Sequence, residues 1–273
     1  MEHHNIQGVP DFESSVFAEK SSDYAVLIPV INEGNRILTE LKRMKRISAA
    51  AYADIIICDG GSADGSMEHR RLQALQVNTL LTKTGPGRQG AQLRMGIWFA
   101  LQRRYKGIIT VDGNNKDSVE NIPDFIRKLD EGYDLVQGSR YVPGGKAVNT
   151  PLIRAAALRL IHAPVISLTA HFHFTDTTNA YRGYSARYLR DRRVQPLRDV
   201  FSGYELLAYL SVRASQLGYK VCEIPVTRAY PRHQKTPTKI SFLKGNAELM
   251  KILLKNAAGA YQPDKDVKHG TSE

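Results

Sequence analysis

Gly107-Ile108-Ile109-Thr110-Val111-Asp112-Gly113-Asn114-Asn115 is a short apolar run that ends abruptly on a carboxylate and a turn. Five apolar and β-branched residues followed by turn-formers read as a buried strand. The same signature precedes it at Tyr24–Val30, Asp54–Cys58 and Val77–Leu81, and follows it at Tyr133–Gln137. Between these runs lie stretches with helical spacing: Glu33–Ile47, Arg88–Arg103 and Ser118–Leu129, the last capped by Ser118. Strands alternating with helices predict an α/β protein, a Rossmann-like, mostly parallel sheet flanked by helices. In such sheets ligands bind beyond the carboxyl ends of the strands.

Five successive strand ends put polar groups on that rim. They are Asn32 and Glu33; Asp59 and Asp64; Lys83, Arg88 and Gln89; Asp112, Asn114 and Asp117; Ser139 and Arg140. Asp112 can hold a divalent cation through oxygen, and a cation there can neutralise a diphosphate. Gly113 would let a ligand approach the backbone, although Asp-Gly-Asn is also a common turn composition. Asp59-Gly60-Gly61-Ser62-Ala63-Asp64 offers N–H groups and carboxylates suited to a nucleotide. No Gly-x-Gly-x-x-Gly opens the first βα turn, and Gly85–Gly90 lacks the Lys-Ser/Thr of a Walker loop, which disfavours nicotinamide and P-loop enzymes.

The second half is less regular. Pro151–Leu168 is apolar, with Arg154 and Arg159 interspersed, and helix-like until Pro164 interrupts it. Phe201–Leu217 reads as a helix, Tyr219–Pro225 as a strand and Ile240–Asn256 as a basic amphipathic helix. Asp176 and Glu205 are candidate general bases for an acceptor hydroxyl; Glu205 reads equally well as a helix-surface acid. Apolar residues make up 42% and charged residues 24%, ordinary for a globular enzyme of 273 residues. The net charge of +11 is concentrated between Tyr181 and Arg198 and between Ile224 and Tyr261, which fits an anionic partner: a diphosphate, a lipid phosphate at a membrane, or nucleic acid. No aromatic-interleaved basic motif supports nucleic acid. Cys58 and Cys222 read as buried free thiols of a reducing compartment. Residues 1–22 lack the apolar core of a secretion signal and are expected to be a disordered arm, as are residues 262–273. The single domain expected between them, 23–261, has two halves, 23–140 and 141–261. No run of 18 apolar residues is present, so no membrane span is expected.

In order, these segments resemble the family 2 glycosyltransferases, and within them the polyprenyl-phosphate (dolichyl-phosphate mannosyltransferase-like) branch. Pro29-Val30-Ile31-Asn32-Glu33 is similar to the family's Pro-x-x-Asn-Glu strand end, and Asp59–Asp64 to its Asp-Asp-Gly-Ser-x-Asp motif. Gly85–Gly96 resembles the glycine-bearing helix start, Val111–Asn114 stands at Asp-x-Asp, and Gly138-Ser139-Arg140 matches Gly-Ser-Arg. Asp176–Arg182 resembles the Asp-x-x-x-Gly-Phe-Arg segment, and Glu223-Ile224-Pro225 through Lys239 the family's Glu-x-Pro…Arg…Ser-Lys ending. The resemblance implies a GT-A fold in which Pro29, Glu33, Asp59 and Asp64 contact the nucleotide, with 23–140 the nucleotide-sugar-binding half and 141–261 the acceptor half; Asn32 and Arg88, from the strand-end reading, are further candidates for the nucleotide. It implies that Asp112, with Asn114 or Asp117, ligates Mg²⁺ or Mn²⁺, and that Arg140, Arg228 or Arg232, and Lys239 face phosphates. The chain departs from the pattern in three places. Asn114 replaces the second carboxylate of Asp-x-Asp, Gly60 the second acid of the nucleotide motif, and Thr178-Asn179-Ala180 a Ser-Gly pair.

The function expected is inverting, metal-assisted transfer of a sugar from a nucleoside diphosphate sugar to a polyprenyl phosphate or other lipid, with a saccharide as the other acceptor class. A cytoplasmic protein peripheral to the inner face of a membrane, with scope for a homodimer, fits this reading. The competing readings are a nucleotidyltransferase that makes a sugar nucleotide and a non-catalytic nucleotide- or nucleic-acid-binding protein. The first is disfavoured because no basic glycine-rich loop follows the first strand.

Overall fold

The computed structural model describes residues 8–231 and 242–263. In chain order the elements are β1 (Phe12–Val16), β2 (Tyr24–Val30), α1 (Asn35–Arg46), β3 (Asp54–Asp59), α2 (His69–Ala74), β4 (Thr79–Lys83), α3 (Gln89–Gln102), β5 (Gly107–Thr110), α4 (Ile122–Asp130) and β6 (Leu135–Ser139). There follow β7 (Lys146–Val148), α5 (Leu152–Ala157), α6 (Ala163–Ala170), β8 (Arg182–Ser185), α7 (Ala186–Arg190), α8 (Glu205–Gln216), β9 (Val221–Pro225), β10 (Thr227–Ala229) and α9 (Phe242–Ala257).

Eight strands form one sheet in the order β1-β4-β3-β2-β5-β8-β6-β9. β4, β3, β2 and β5 run parallel, as do β6 and β9, while β1 and β8 are antiparallel to their neighbours. The apolar runs are buried because both faces are covered, one cluster packing around α3 and α8 and the other around α1 and α4. Strands from both expected halves share this sheet, since β8 inserts between β5 and β6.

Three expectations are corrected. The stretch from residue 8 to 22 is not a disordered arm. Val9 and Phe12 are buried, and β1 pairs with β4 from Phe12↔Lys83 to Val16↔Thr79. Ser118 does not cap α4; its hydroxyl bonds Asn121, and the helix starts at Ile122 with a proline in its first turn. Pro164 does not end the helix that precedes it. A π-turn over Leu158–His162 leads into α6, and the helix runs unbroken from Leu152 to Ala170. Altered backbone pairing at a π-turn accommodates a residue that has no N–H to give. This 19-residue helix is long and apolar enough to cross a membrane, by length and composition only, and just 17% of it is buried.

Candidate active site

The carboxyl ends of β2, β3 and β5 open onto a cavity of ≈ 930 Å³. At its centre is Asp112, placed just beyond β5. One carboxylate oxygen accepts from Gln89 Nε2 at 2.9 Å, at the start of α3. The other meets Arg228 Nη2 at 3.0 Å and the Asn114 amide at 3.4 Å. Gly113 is required here by space, because a Cβ would come within 2.7 Å of Val30 and 3.1 Å of Ile28.

The turn after Asp112 is held from behind by α1. Asn115 adopts a left-handed conformation, φ 56°, and its N–H donates to the fully buried Glu40 at 2.6 Å. Arg43 donates to the Asn115 side chain at 2.9 Å. Burial drives the Glu40 carboxyl well above its usual range; the Asn115 N–H pulls it back, and Asp117 and Asp112 push it further up. Glu40 therefore supports the loop from within the protein, and helical spacing alone gave it no distinction from a surface acid.

Asp117 does not reach the cavity. It is fully buried and ion-paired with Arg228 Nη1, and the backbones of the two residues form a β-bridge. Burial works against the Arg228 charge, but Asp117 and Asp112 together more than restore it. Arg228 is thus the arginine placed at the site; Arg232 and Lys239 lie outside the described residues. Lys116 lines the cavity beneath the Tyr230 ring, 5.0 Å from its centroid, and burial lowers its pKa. Neither Lys116 nor Tyr230 belongs to a recognisable motif.

Arg140, at the end of β6, also lines the cavity. It makes a two-pronged ion pair with Asp176, 2.6 Å from Nε and 2.8 Å from Nη2. Asp176 is fully buried, and Glu223 of β9 fixes its loop by accepting from Thr175 and Asp176 N–H. Both Asp176 oxygens are engaged by Arg140 and the residue does not line the cavity, so the geometry does not place it as the general base expected from the sequence. Glu205 fails on position. Its carboxylate accepts from Gly203 N–H at 2.6 Å at the start of α8, and it does not line the cavity.

On the nucleotide side, Pro29, Glu33 and Arg88 line the cavity, whereas Asn32, Asp59 and Asp64 do not. Asp59 is buried and accepts from Gly61 N–H and from Ser62 N–H and hydroxyl, holding its own turn. Asp64 accepts from Gly34 N–H at 2.7 Å, and Asn32 accepts from Ala63 N–H at 2.9 Å. These three residues tie the β2 and β3 loops into one platform. Glu33 pairs with Arg36, and Arg88 reaches Glu248 of α9 across the cavity mouth at 3.1 Å.

A divalent cation finds two candidate oxygens at this rim. Asn114 Oδ1 is buried and has no hydrogen-bond partner among the described residues, and Asp112 stands beside it. Among the described residues no cluster of three His, Cys, Asp or Glu is formed. Two protein oxygens suit an ion that takes its remaining ligands from substrate phosphates and water. Asp112 and Asn114 fit that role; Asp117 does not.

No family model matches the chain. The undecaprenyl-phosphate mannosyltransferase of Micrococcus luteus is 28% identical over 204 residues, covering 74% of this chain and 81% of that protein. The polyprenol monophosphomannose synthase of Mycolicibacterium smegmatis is 26% identical over 208 residues, 74% and 76% of the two chains. The crystal structure of glucosyl-3-phosphoglycerate synthase from Mycobacterium tuberculosis with UDP superposes at a TM-score of 0.62 over 89% of this chain and 81% of that one, at 14% identity. The same enzyme was also solved with Mn²⁺, UDP and glucosyl-3-phosphoglycerate, with a TM-score of 0.55 at 18% identity over the same shares. The sheet order and these comparisons agree: the chain has the GT-A fold, and it is similar in sequence to glycosyltransferases named for polyprenyl-phosphate acceptors.

Proposed function

We propose that the protein transfers one sugar from a nucleoside diphosphate sugar to a lipid phosphate, inverting the anomeric carbon. The observation that carries this reading is that one cavity is lined by both cationic and apolar side chains. Asp112, Lys116, Arg140 and Arg228 line it together with Ile153, Leu158, Ile166, Leu249 and Leu253. Cations suit a diphosphate and an acceptor phosphate, and the apolar side chains suit a prenyl chain. The names of the two sequence relatives support the same acceptor class.

The platform of Asn32, Asp59 and Asp64, with Pro29, Glu33 and Arg88, is assigned to the nucleotide. An acceptor phosphate oxygen attacks the anomeric carbon from the face opposite the diphosphate, whose bond to the sugar breaks with its electron pair. Such an oxygen is already anionic, so no general base is required, which fits the engagement of Asp176 and Glu205 elsewhere. Arg140 and Lys116 lie where negative charge accumulates, and preorganised cations there stabilise the departing diphosphate. A divalent ion, Mg²⁺ or Mn²⁺, would be held by Asp112 and Asn114 and would supply further neutralisation of that charge. The exposed apolar helix Leu152–Ala170 lines part of the cavity, and we assign it to contact with the cytoplasmic face of a membrane.

A thermal-shift screen tests the donor site. UDP, GDP and their sugar conjugates, with and without Mn²⁺, should include at least one that stabilises the protein by about 2–3 kcal/mol at a hundredfold excess over its Kd. If none shifts the melting temperature, the donor reading fails.

A further inference from the structure

The residue assigned to the metal already has a cation of the protein's own. Arg228 Nη2 sits 3.0 Å from Asp112 while Nη1 holds Asp117, and the arginine side chain is only 9% exposed. Its backbone is pinned. Ser118 N–H donates to Thr227 at 2.9 Å and Ala229 N–H to Lys116 at 2.8 Å, which flank the Asp117–Arg228 bridge. Only the guanidinium end can change partner. The other Asp112 oxygen is taken by Gln89, so both are in use, one of them by a full positive charge. Asn114 Oδ1, beside them, is an acceptor with no partner among the described residues.

We propose that Arg228 is a resident counter-cation that competes with the divalent ion for Asp112, so that metal and donor bind as a coupled pair. Mn²⁺ alone must displace the guanidinium or bind against its charge at close range. A diphosphate changes both terms. It offers the arginine a forked anionic partner, and it gives the metal the extra oxygens that two protein ligands do not provide. The departure at Asn114 has a consequence in this arrangement. With one carboxylate fewer than Asp-x-Asp, Asp112 is the one acidic ligand left, and Arg228 already holds it, so coupling to the donor is strong. By linkage, the metal tightens the nucleotide by the same factor as the nucleotide tightens the metal.

This inference rests on the metal-assisted reading above, and the experiment separates the two. Mn²⁺ binding is followed by electron paramagnetic resonance of the free ion, with the metal alone and with UDP or GDP present. In the natural protein the nucleotide that binds should tighten Mn²⁺ at least about tenfold. Arg228→Gln alone would leave Asp117 buried and unpaired, so the test variant is Arg228→Gln with Asp117→Asn, its fold checked by circular dichroism and thermal melting. This variant should bind Mn²⁺ alone at least about tenfold more tightly than the natural protein and gain little from nucleotide. Arg228→Lys, which keeps the charge, should leave the affinity for Mn²⁺ alone weak. A double variant that binds Mn²⁺ alone no more tightly than the natural protein overturns the proposal. So does Mn²⁺ binding to the natural protein that is equally tight with and without nucleotide, and in that case the metal reading stands. Absence of Mn²⁺ binding under every condition overturns both.

Discussion

A buried acid behind a ligand loop can be an asset or a liability, and Glu40 shows which by its pH dependence. Its carboxyl is fully buried, with one oxygen on Asn115 N–H and the other without a partner among the described residues. Because its pKa is raised in the folded protein, chiefly by burial, the unfolded chain loses that proton first as pH rises. Stability from the protonated group is therefore complete below the ordinary glutamate range and is lost as pH climbs through the raised folded value. Glu40→Gln keeps an acceptor for Asn115 and removes the ionisation. The variant should match the natural protein near pH 4 and melt at a higher temperature at neutral pH, by a margin that widens with pH. A margin that shrinks with pH would contradict the assignment. Glu205 gives the opposite kind of test. Since it caps Gly203 and does not line the cavity, Glu205→Gln should cost about 0.5–1 kcal/mol of stability and leave kcat/KM within about threefold. A hundredfold loss in kcat/KM would restore it as a base.

The elements differ in how openly the sequence declares them. β2 to β6 are visible as apolar runs because a parallel strand covered on both faces must be apolar throughout. β8, Arg182-Gly183-Tyr184-Ser185, has no such run, yet it lies between β5 and β6; Arg182 is buried on carbonyl and hydroxyl acceptors instead of apolar neighbours. β1 is hidden for a related reason. As an edge strand it buries only Phe12 fully, and Glu13, Ser14 and Ser15 make it look like the polar stretch around it. Glu33, Asp112 and Arg140, which line the cavity, were legible because each stands just beyond a strand end. Arg228 pairing with Asp117 was not, since the partners are 111 residues apart and only the folded sheet brings them together. Helix α3 supplies the prediction at this scale. A Cβ on Gly90 would meet the carbonyls of Phe201 and Gly203 at 2.6 Å, backbone that cannot step aside. Gly90→Ala should cost about 1–3 kcal/mol in denaturant unfolding, and should weaken donor binding through the displaced Gln89. Unchanged stability would mean that α3 is not seated on the α8 approach as described.

At the scale of the whole molecule, the cavity beyond the sheet is lined by charged and apolar side chains, and a long apolar helix at its border is exposed. Leu152, Leu160 and Leu168 on the long helix are 86%, 76% and 76% exposed, and Arg154 and Arg159 lie among them. Apolar side chains with interspersed arginines suit the interface of an anionic bilayer. Leu160→Glu with Leu168→Glu should reduce co-sedimentation with vesicles containing anionic phospholipid at least about tenfold, while transfer to a short-chain, water-soluble prenyl phosphate changes less than about twofold. Equal losses in both assays would place those leucines in the fold and not at a membrane. The central claim is sugar transfer to a lipid phosphate at the Asp112 site, and one measurement meets it directly. Nucleoside diphosphate sugars labelled in the sugar or in the nucleotide are incubated with a polyprenyl phosphate and Mn²⁺, and label is counted in the organic phase for the natural protein and for Asp112→Ala. Sugar label alone should enter the organic phase, and Asp112→Ala should lower the rate at least about a thousandfold. No lipid-borne sugar from any donor, or full activity in Asp112→Ala, would contradict it.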